Sequence, residues 1–481
     1  MREPEAPQSR PSSPTVGASS AEVDTGPMPL LTRLNERGIR LLMGVDAAFL
    51  LLVMLATQVF RQGWNPAGWQ TFSPSLYLLS YVATAALFVA TYYFGGLYER
   101  EPRLAFPPVL PRVVRQSVAA TGLYAIANLG LTSLAKELGA QIERALPMPF
   151  PNLIALFVLG SIGVATNRKL VHWVRYNREG PTRVVLVGAP DEVNVARKHI
   201  DVDADRAVVV ASLGSPDELL VTVEETHATE VVLLSSRWFD TLYPRVLDRL
   251  EARTVNVLQR VTAKETMFGL ERVRQIGGLP FVQLRSHTMQ TSRAHFKRFT
   301  DLTLLVLSAP VLLVLVGLLA AYELLVVGRP ILFWQERVGA EGRRFRMVKF
   351  RTMYPNAEED GAPQLATQDD PRIVPACRWL RSTRLDELPQ IYNVLRGDMS
   401  LVGPRPERPE LTERFEQVIP GYSRRHELPP GITGLAQIHG RYHTDPEYKL
   451  GYDLQYLVNW SPTLDFEILA RTIWVVLTRR L

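Results

Sequence analysis

The sequence predicts a chain in three parts: a helical membrane bundle, an α/β module on a parallel sheet, and a soluble α/β region carried by a further apolar segment. Three observations predict it. Apolar stretches of near-spanning length crowd the first third of the 481 residues. Short β-branched runs, separated by helical stretches, begin at Arg183. A last long apolar run, Leu302–Val327, is interrupted by Ser308-Ala309-Pro310. The average composition, 47% hydrophobic and 21% charged, would suit an ordinary soluble protein. Its uneven distribution excludes both a plain cytosolic protein and a transporter built only from spans.

Charge and cysteine usage narrow the function classes. Lys+Arg 54 against Asp+Glu 48 gives a net charge of +6, too small an excess to argue for a nucleic-acid partner. Only 7 of the basic residues are Lys. That bias reflects genomic base composition or a set of phosphate-facing guanidinium forks. The single cysteine, Cys377, excludes an intrachain disulfide framework and a cysteine zinc cluster. No Cys/His signature surrounds it, so it reads as a packed small residue.

Residues 1–35 are rich in Pro, Ser, Ala and acids without an apolar period, and are expected to be a disordered tail. Residues 36–176 are expected to form a four-helix transmembrane region from Ile39–Phe60, Pro74–Phe94, Val109–Leu134 and Pro149–Thr166. Arg33, Arg37 and Arg40 precede the first stretch. Arg100, Arg103, Arg112 and Arg115 surround the second loop, and Arg168, Lys169, Arg175, Arg178 and Arg183 follow the fourth stretch. The positive-inside rule places all of these in the cytoplasm.

Residues 182–285 are expected to form a Rossmann-like module. Its strands are Arg183–Gly188, Arg206–Ala211, Glu230–Leu234 and Thr254–Leu258, with helices on both faces of a parallel sheet. The first strand ends in Gly188-Ala189-Pro190-Asp191-Glu192. Two of the three glycines of a dinucleotide fingerprint are missing there. A structural or regulatory role is favoured over a nucleotide site.

Residues 286–481 carry the last apolar run. Lys297 and Arg298 precede it, and Arg329 and Arg337 follow it. Positive charge on both flanks suits two ends on one side of the membrane. Pro310 removes a backbone hydrogen bond and kinks or breaks a helix. A re-entrant helix over 299–327 fits both facts; an ordinary kinked span is the alternative.

The remaining soluble stretch concentrates charge in a few motifs. Lys349 and Arg351 stand two apart in KFRTM and would face one side of a strand. Thr383 and Asp386 resemble a helix-start box, which sets Asp386 and Glu387 near a helix start. Two adjacent carboxylates can hold Mg²⁺ together with substrate phosphates, and one of them can attack phosphorus. Arg381 and Arg405 are candidate phosphate clamps, the latter held in the stiff turn Gly403-Pro404-Arg405-Pro406. A solvated ion-pair network is the competing reading of the same residues.

The order KFRTM, LDELPQIYNVLRGDMSLVGPRPE and Pro430-Gly431-Ile432-Thr433-Gly434 resembles the bacterial sugar transferases, the large monotopic phosphoglycosyl transferases. The likeness covers about Lys297 to Leu481 and extends to the layout of spans, module and catalytic domain. It implies an α/β-type monotopic catalytic domain on a re-entrant membrane helix broken at Ala309-Pro310. It implies Asp386 as nucleophile, Glu387 as a Mg²⁺ holder together with Asp386, and Arg405 as a phosphate contact. Lys349, Arg351 and Arg381 match further family positions, and Asp453 matches an acid with a supporting role. The implied reaction moves a hexose-1-phosphate from a UDP-sugar to undecaprenyl phosphate, releasing UMP through an aspartyl-phosphosugar intermediate, as the first membrane step of polysaccharide synthesis. The implied location is the bacterial inner membrane, multi-pass, with the catalytic domain on the cytoplasmic face of the lipid bilayer. A homodimer is expected, with the bundle and module as its platform.

Two rivals are weighed against this reading. A sugar-nucleotide dehydratase or epimerase needs a glycine-rich turn and a Tyr-x-x-x-Lys pair, and no Tyr has Lys four residues later. A non-catalytic, nucleotide-sensing scaffold would not need the full set of phosphate-contact motifs. The sequence reads no hydroxyl configuration, so glucose, galactose and GlcNAc-type donors stay open.

Overall fold

The computed structural model describes residues 30–64, 72–99, 104, 108–139, 146–202, 207–262, 265, 274–276, 279–284, 289, 291–354, 370–439 and 445–478. It is mostly helical, with a mixed α/β sheet in the middle of the chain. Among the described residues, 5 helices are long and apolar enough to cross a membrane.

The bundle consists of α1 (Leu30–Gln62), α2 (Pro74–Phe94), α3 (Val109–Glu137), and α4 (Phe150–Ala155), which runs through a π-helical turn into α5 (Ser161–Glu179). Helix α1 starts inside the stretch expected to be tail. The sequence places Leu30, Leu31 and Leu34 there, and the composition of the preceding residues obscured this start. Apolar side chains from every helix, among them Leu50, Met54, Tyr81, Phe88, Val113 and Val164, make one shared core. Two polar clusters are buried in that core, and each is held by hydrogen bonds that offset part of the cost of a low-dielectric interior. Asn152 donates to the Met54 carbonyl at 3.0 Å and to the Tyr81 hydroxyl at 2.8 Å. Asp46 of α1 accepts from Arg168 and Asn167 of α5 and from the Tyr98 hydroxyl. The Arg168 guanidinium also lies 4.4 Å over the Tyr98 ring.

The sheet has strands β1 (Thr182–Val187), β2 (Ala207–Leu213), β3 (Glu230–Leu233), β4 (Asn256–Arg260), β5 (Arg274–Ile276) and β6 (Leu279–Leu284), in the order β2-β1-β3-β4-β6-β5. The first four are parallel, and each lies within two residues of its expected position. Alternate residues of β1 point to opposite faces, and both faces are covered. Val184 and Leu186 meet α6 (Pro190–Val202), whereas Val185 and Val187 meet α7 (Leu219–Thr226), α8 (Phe239–Leu242) and α9 (Arg245–Ala252). The purely parallel sheet expected from the sequence is corrected by β6, which pairs antiparallel with β4 on one side and β5 on the other. Gly277-Gly278 between β5 and β6 is a hairpin signal that the βα rhythm obscured.

The turn after β1 explains the missing glycines. The Ala189 N–H donates to the Glu192 carboxylate at 3.1 Å. A helix N-terminus attracts an anion, and here a side chain of the same helix takes that seat. The bundle meets this module where the Leu104 N–H donates to Glu230 at 3.1 Å.

Helix α10 (Thr291–Val326) is continuous through Pro310. Ser308 hydrogen-bonds back to the Leu304 and Leu305 carbonyls, a pattern that bends helices. One stripe of α10 packs on the C-terminal region along its length: Leu305 against Met347 and Val394, then Leu319 against Phe350 and Leu380. Leu307, Val311, Leu313 and Leu325 on its other sides are exposed. Near its start, Lys297 lies 2.9 Å from Asp465, and Asp301 accepts from Ser400 at 2.6 Å. Near its end, Tyr322 donates to the Ala376 carbonyl, and Glu323 accepts from Cys377, which is buried as the sequence suggested.

Candidate active site

Antiparallel strands β7 (Leu332–Val338) and β8 (Arg344–Phe350) form the first wall of the site. The opposite wall is a short helix, α11 (Arg378–Ser382), a 3-10 turn over Leu385–Gln390, and α12 (Ile391–Arg396). Asn393 ties the walls together. It accepts from the Val348 N–H at 3.1 Å and donates to the Arg346 carbonyl at 2.8 Å. The turn carries Asp386 and Glu387, which are 8% and 7% exposed.

The helix-start box expected at Thr383 does not form. Thr383 hydrogen-bonds backwards to the Trp379 carbonyl, and Arg384 takes a left-handed backbone with φ 55°. That kink separates α11 from the 3-10 turn and aims both carboxylates at the strand wall.

A pair of short strands, β9 (Ser400–Val402) and β10 (Gly431–Thr433), closes the third side. Their extensions meet backbone to backbone. The Gly403 N–H donates to the Thr433 carbonyl at 2.8 Å, and the Gly431 N–H to the Pro404 carbonyl at 2.9 Å. A Cβ on Gly431 would fall 2.1 Å from the Gly403 nitrogen, so the two motifs need glycine for this contact. The result is a rigid seat for Arg405.

Lys349 from β8 donates to Glu387 Oε1 at 2.7 Å, and Arg405 reaches the same oxygen at 3.3 Å. Burial pushes Glu387 up, but Lys349, Arg405 and Arg384 together outweigh it and hold this carboxyl well below its usual range. Asp386 moves the other way, to about 6, through burial and then the neighbouring Glu387 charge; Lys349, Arg381 and Arg405 offset only part of this. Burial also lowers Lys349, against the pull of Glu387. Arg381 donates to the Thr352 hydroxyl at 3.3 Å. Asp386, Glu387, Lys349, Arg381 and Arg405 thus share one electrostatic site.

Two expected site residues stand apart from that group. Strand β8 stops at Phe350, and Arg351 turns to the Val327 and Gly328 carbonyls at 2.9 and 3.2 Å. It therefore caps the end of α10, and the shared facing with Lys349 does not hold. Asp453 is buried 2.8 Å from Arg425. It belongs to α15 (Pro446–Asn459), which follows α13 (Pro409–Val418) and α14 (Leu435–His439) and precedes α16 (Pro462–Thr478). Arg425, which sequence reasoning missed, donates to the Arg405 carbonyl at 3.0 Å. Asp453 is thus linked to the Arg405 backbone through Arg425. Arg337 was also missed. It donates to the Pro406 carbonyl at 3.2 Å, and burial lowers its pKa to about 10. The signal for Arg425 was its place six residues before Gly431, but only the fold brings it under Arg405.

The family model described as bacterial sugar transferase matches residues 292–479, the region that holds this whole site. An uncharacterized sugar transferase of Bacillus subtilis strain 168, EpsL, is 41% identical over 181 residues, covering 38% of this chain and 87% of that protein. The chain belongs to the bacterial sugar transferase family. Longer relatives carry fuller names. A UDP-glucose:undecaprenyl-phosphate glucose-1-phosphate transferase of Klebsiella pneumoniae is 36% identical over 273 residues, 55% of each chain. A UDP-N-acetylgalactosamine-undecaprenyl-phosphate N-acetylgalactosaminephosphotransferase of Aeromonas hydrophila is 38% identical over 239 residues, 49% of this chain and 56% of that one. The chain spans just over half the length of these two relatives.

As a sugar transferase site, the dyad suits a hard cation. Its donors are carboxylate oxygens. Among the described residues no cluster of three or more His, Cys, Asp or Glu is present. A metal held by Asp386 and Glu387 would need further oxygens from water or a bound phosphate, as magnesium prefers. Burial, and after it the Glu387 charge, raise Asp386, so a cation bound between the two carboxylates would lower it again.

Proposed function

We propose that this sugar transferase moves a hexose-1-phosphate from a UDP-sugar to undecaprenyl phosphate, yielding undecaprenyl-diphosphate-sugar and UMP. The observation that carries the reading is the buried Asp386-Glu387 dyad with Lys349 and Arg405 on the same carboxylate oxygen. In the first step an Asp386 oxygen attacks the sugar-bearing phosphorus of the donor. A bond from oxygen to phosphorus forms, and the bond to the UMP oxygen breaks. In the second step an oxygen of the lipid phosphate attacks the same phosphorus and frees Asp386. Lys349 keeps Glu387 anionic, and Arg381 and Arg405 neutralise donor phosphates. Asp386 and Glu387 would hold Mg²⁺, which supplies charge neutralisation on the transferring group.

The two-step route suits the substrates, because a water-soluble donor and a bilayer-bound acceptor need never meet. The tethering of α10 supports a monotopic arrangement on the cytoplasmic face of the inner membrane. Contacts of α10 with the C-terminal region near Lys297 and again near Glu323 support both of its ends lying on one side of the bilayer. The covered faces of the α/β module support its Rossmann-like reading. A panel of labelled UDP-sugars, incubated with purified protein, polyprenyl phosphate and Mg²⁺, tests the function. Label should enter the lipid phase from at least one donor and vanish with EDTA. No transfer from any donor would sink the reading.

A further inference from the structure

The α/β module touches the catalytic domain at a point that leads to the candidate site. Tyr243 follows α8, and its ring stacks on Phe239 with centroids 5.5 Å apart. On its far side lies the 3-10 turn Tyr422–Glu427. The Arg424 guanidinium sits 5.3 Å from the centre of the Tyr243 ring. Arg424 also donates to Glu427 at 3.3 Å, and its side chain is only 11% exposed. Gly421, at φ +75°, lies so close that a Cβ there would fall 2.3 Å from the Tyr243 hydroxyl.

The next residue along that turn, Arg425, is almost fully buried. It donates to the Tyr422 hydroxyl, lies 2.8 Å from Asp453, and donates to the Arg405 carbonyl at 3.0 Å. Arg405 in turn reaches Glu387 at 3.3 Å. The backbone around Arg405 is therefore held from two sides. The β9–β10 extension holds Pro404, and Arg425 holds Arg405 itself.

We propose that Tyr243 is a positioning residue for the transfer reaction, lent to the catalytic domain by the α/β module. It fixes the turn Tyr422–Glu427 and, through Arg425, the reach of Arg405 to Glu387. The inference rests on the transferase reading above and gives the module a part in that chemistry. A guanidinium facing an aromatic ring is attracted by the ring's negative face, more strongly where water is excluded. Couplings between remote sites carried by such packed contacts change function severalfold.

The test compares full-length Tyr243→Ala, Tyr243→Phe and Arg424→Met with wild type. Two quantities are read: hydrogen exchange of the peptide over 400–408, with the 74–94 peptide as control, and kcat/KM for the donor. Tyr243→Ala should speed exchange at 400–408 alone and lower kcat/KM about five- to tenfold. Tyr243→Phe keeps the ring and should restore most of both. Arg424→Met should reproduce the alanine phenotype, and combining the two should add little. If Tyr243→Ala does not fold, Arg424→Met decides by itself. Unchanged exchange at 400–408 overturns the linkage. Faster exchange with kcat/KM within twofold of wild type overturns the role in the reaction. A wild type that transfers from no donor, while exchange still responds, places the failure in the transferase reading.

Discussion

Adjacent in sequence, Asp386 and Glu387 differ in their partners. Lys349 and Arg405 converge on Glu387, whereas among the described residues no side-chain hydrogen bond or ion pair reaches Asp386. In the proposed reaction Asp386 is the carboxylate that bonds to phosphorus. Asp386→Asn should reduce transfer below about a tenth of wild type, since an amide cannot form the acyl phosphate. Its melting temperature should stay at the wild-type value, and turnover above that level would exclude Asp386 as nucleophile. The dyad, Lys349 and Arg405 were legible in the sequence because they sit inside long motifs. Arg351 was misplaced because a two-residue spacing fixes orientation only while the strand continues. Arg425 was hidden because its partner is a backbone carbonyl, which leaves no trace in a residue pattern. His426 beside it permits a stability test. Burial first, and then Arg425, lowers its pKa to about 4. The folded protein thus keeps it neutral while the unfolded chain protonates at the ordinary value. That stability is complete above about pH 6.5 and is lost as pH falls toward 4, at up to ~1.4 kcal/mol per unit. His426→Phe should flatten the fall in thermal midpoint over that interval, and an unaltered slope would count against the assignment.

Helix α10 is held at its first turns by buried charge. Lys297 meets Asp465 at 2.9 Å and Asp301 at 3.7 Å, and Asp465 also accepts from Tyr456 and Trp460. Lys297→Met would leave two buried carboxylates without their cation, at a cost of about 3–5 kcal/mol. Thermal or denaturant unfolding of the C-terminal region should register that loss; a change under about 1 kcal/mol would mean the pair is dispensable. The sequence showed Lys297 as a flanking charge for orientation and gave no sign of its buried partner 168 residues later. Topology has its own test. Single cysteines at Thr291 and Gly342 in a Cys377→Ser background should both resist an impermeant reagent in intact spheroplasts and react after lysis. Reaction at Gly342 before lysis would establish a crossing. Pro310→Ala restores a backbone donor inside the helix and should move the population toward such a crossing.

The bundle rests on the remainder of the chain through aromatic contacts. Phe94 at the end of α2 faces Phe296 and Phe299 of α10, with centroids 5.0 and 5.9 Å apart, and Tyr93 hydrogen-bonds His295. None of these residues is among those that hydrogen-bond or pair with the dyad. Removing residues 1–181 should therefore preserve transfer while lowering the thermal midpoint of what remains. A well-folded truncation without activity would make the bundle a catalytic partner. The broad division into bundle, sheet and C-terminal region was readable because hydrophobic length and period report it directly. The joints between parts were not, because Leu104, Tyr93 and Tyr243 are ordinary residues whose contacts span long sequence distances.

The ion pair between α1 and α5 has a further meaning for biogenesis. Asp46 and Arg168 neutralise each other inside the finished bundle, but 122 positions separate them along the chain. At about 5–20 residues per second, the ribosome supplies Arg168 roughly 6–24 s after Asp46. Until then the Tyr98 hydroxyl, 52 positions after Asp46, is the one partner among Tyr98, Asn167 and Arg168 already on the chain. The electrostatic closure of the bundle is therefore a late event in the making of the chain.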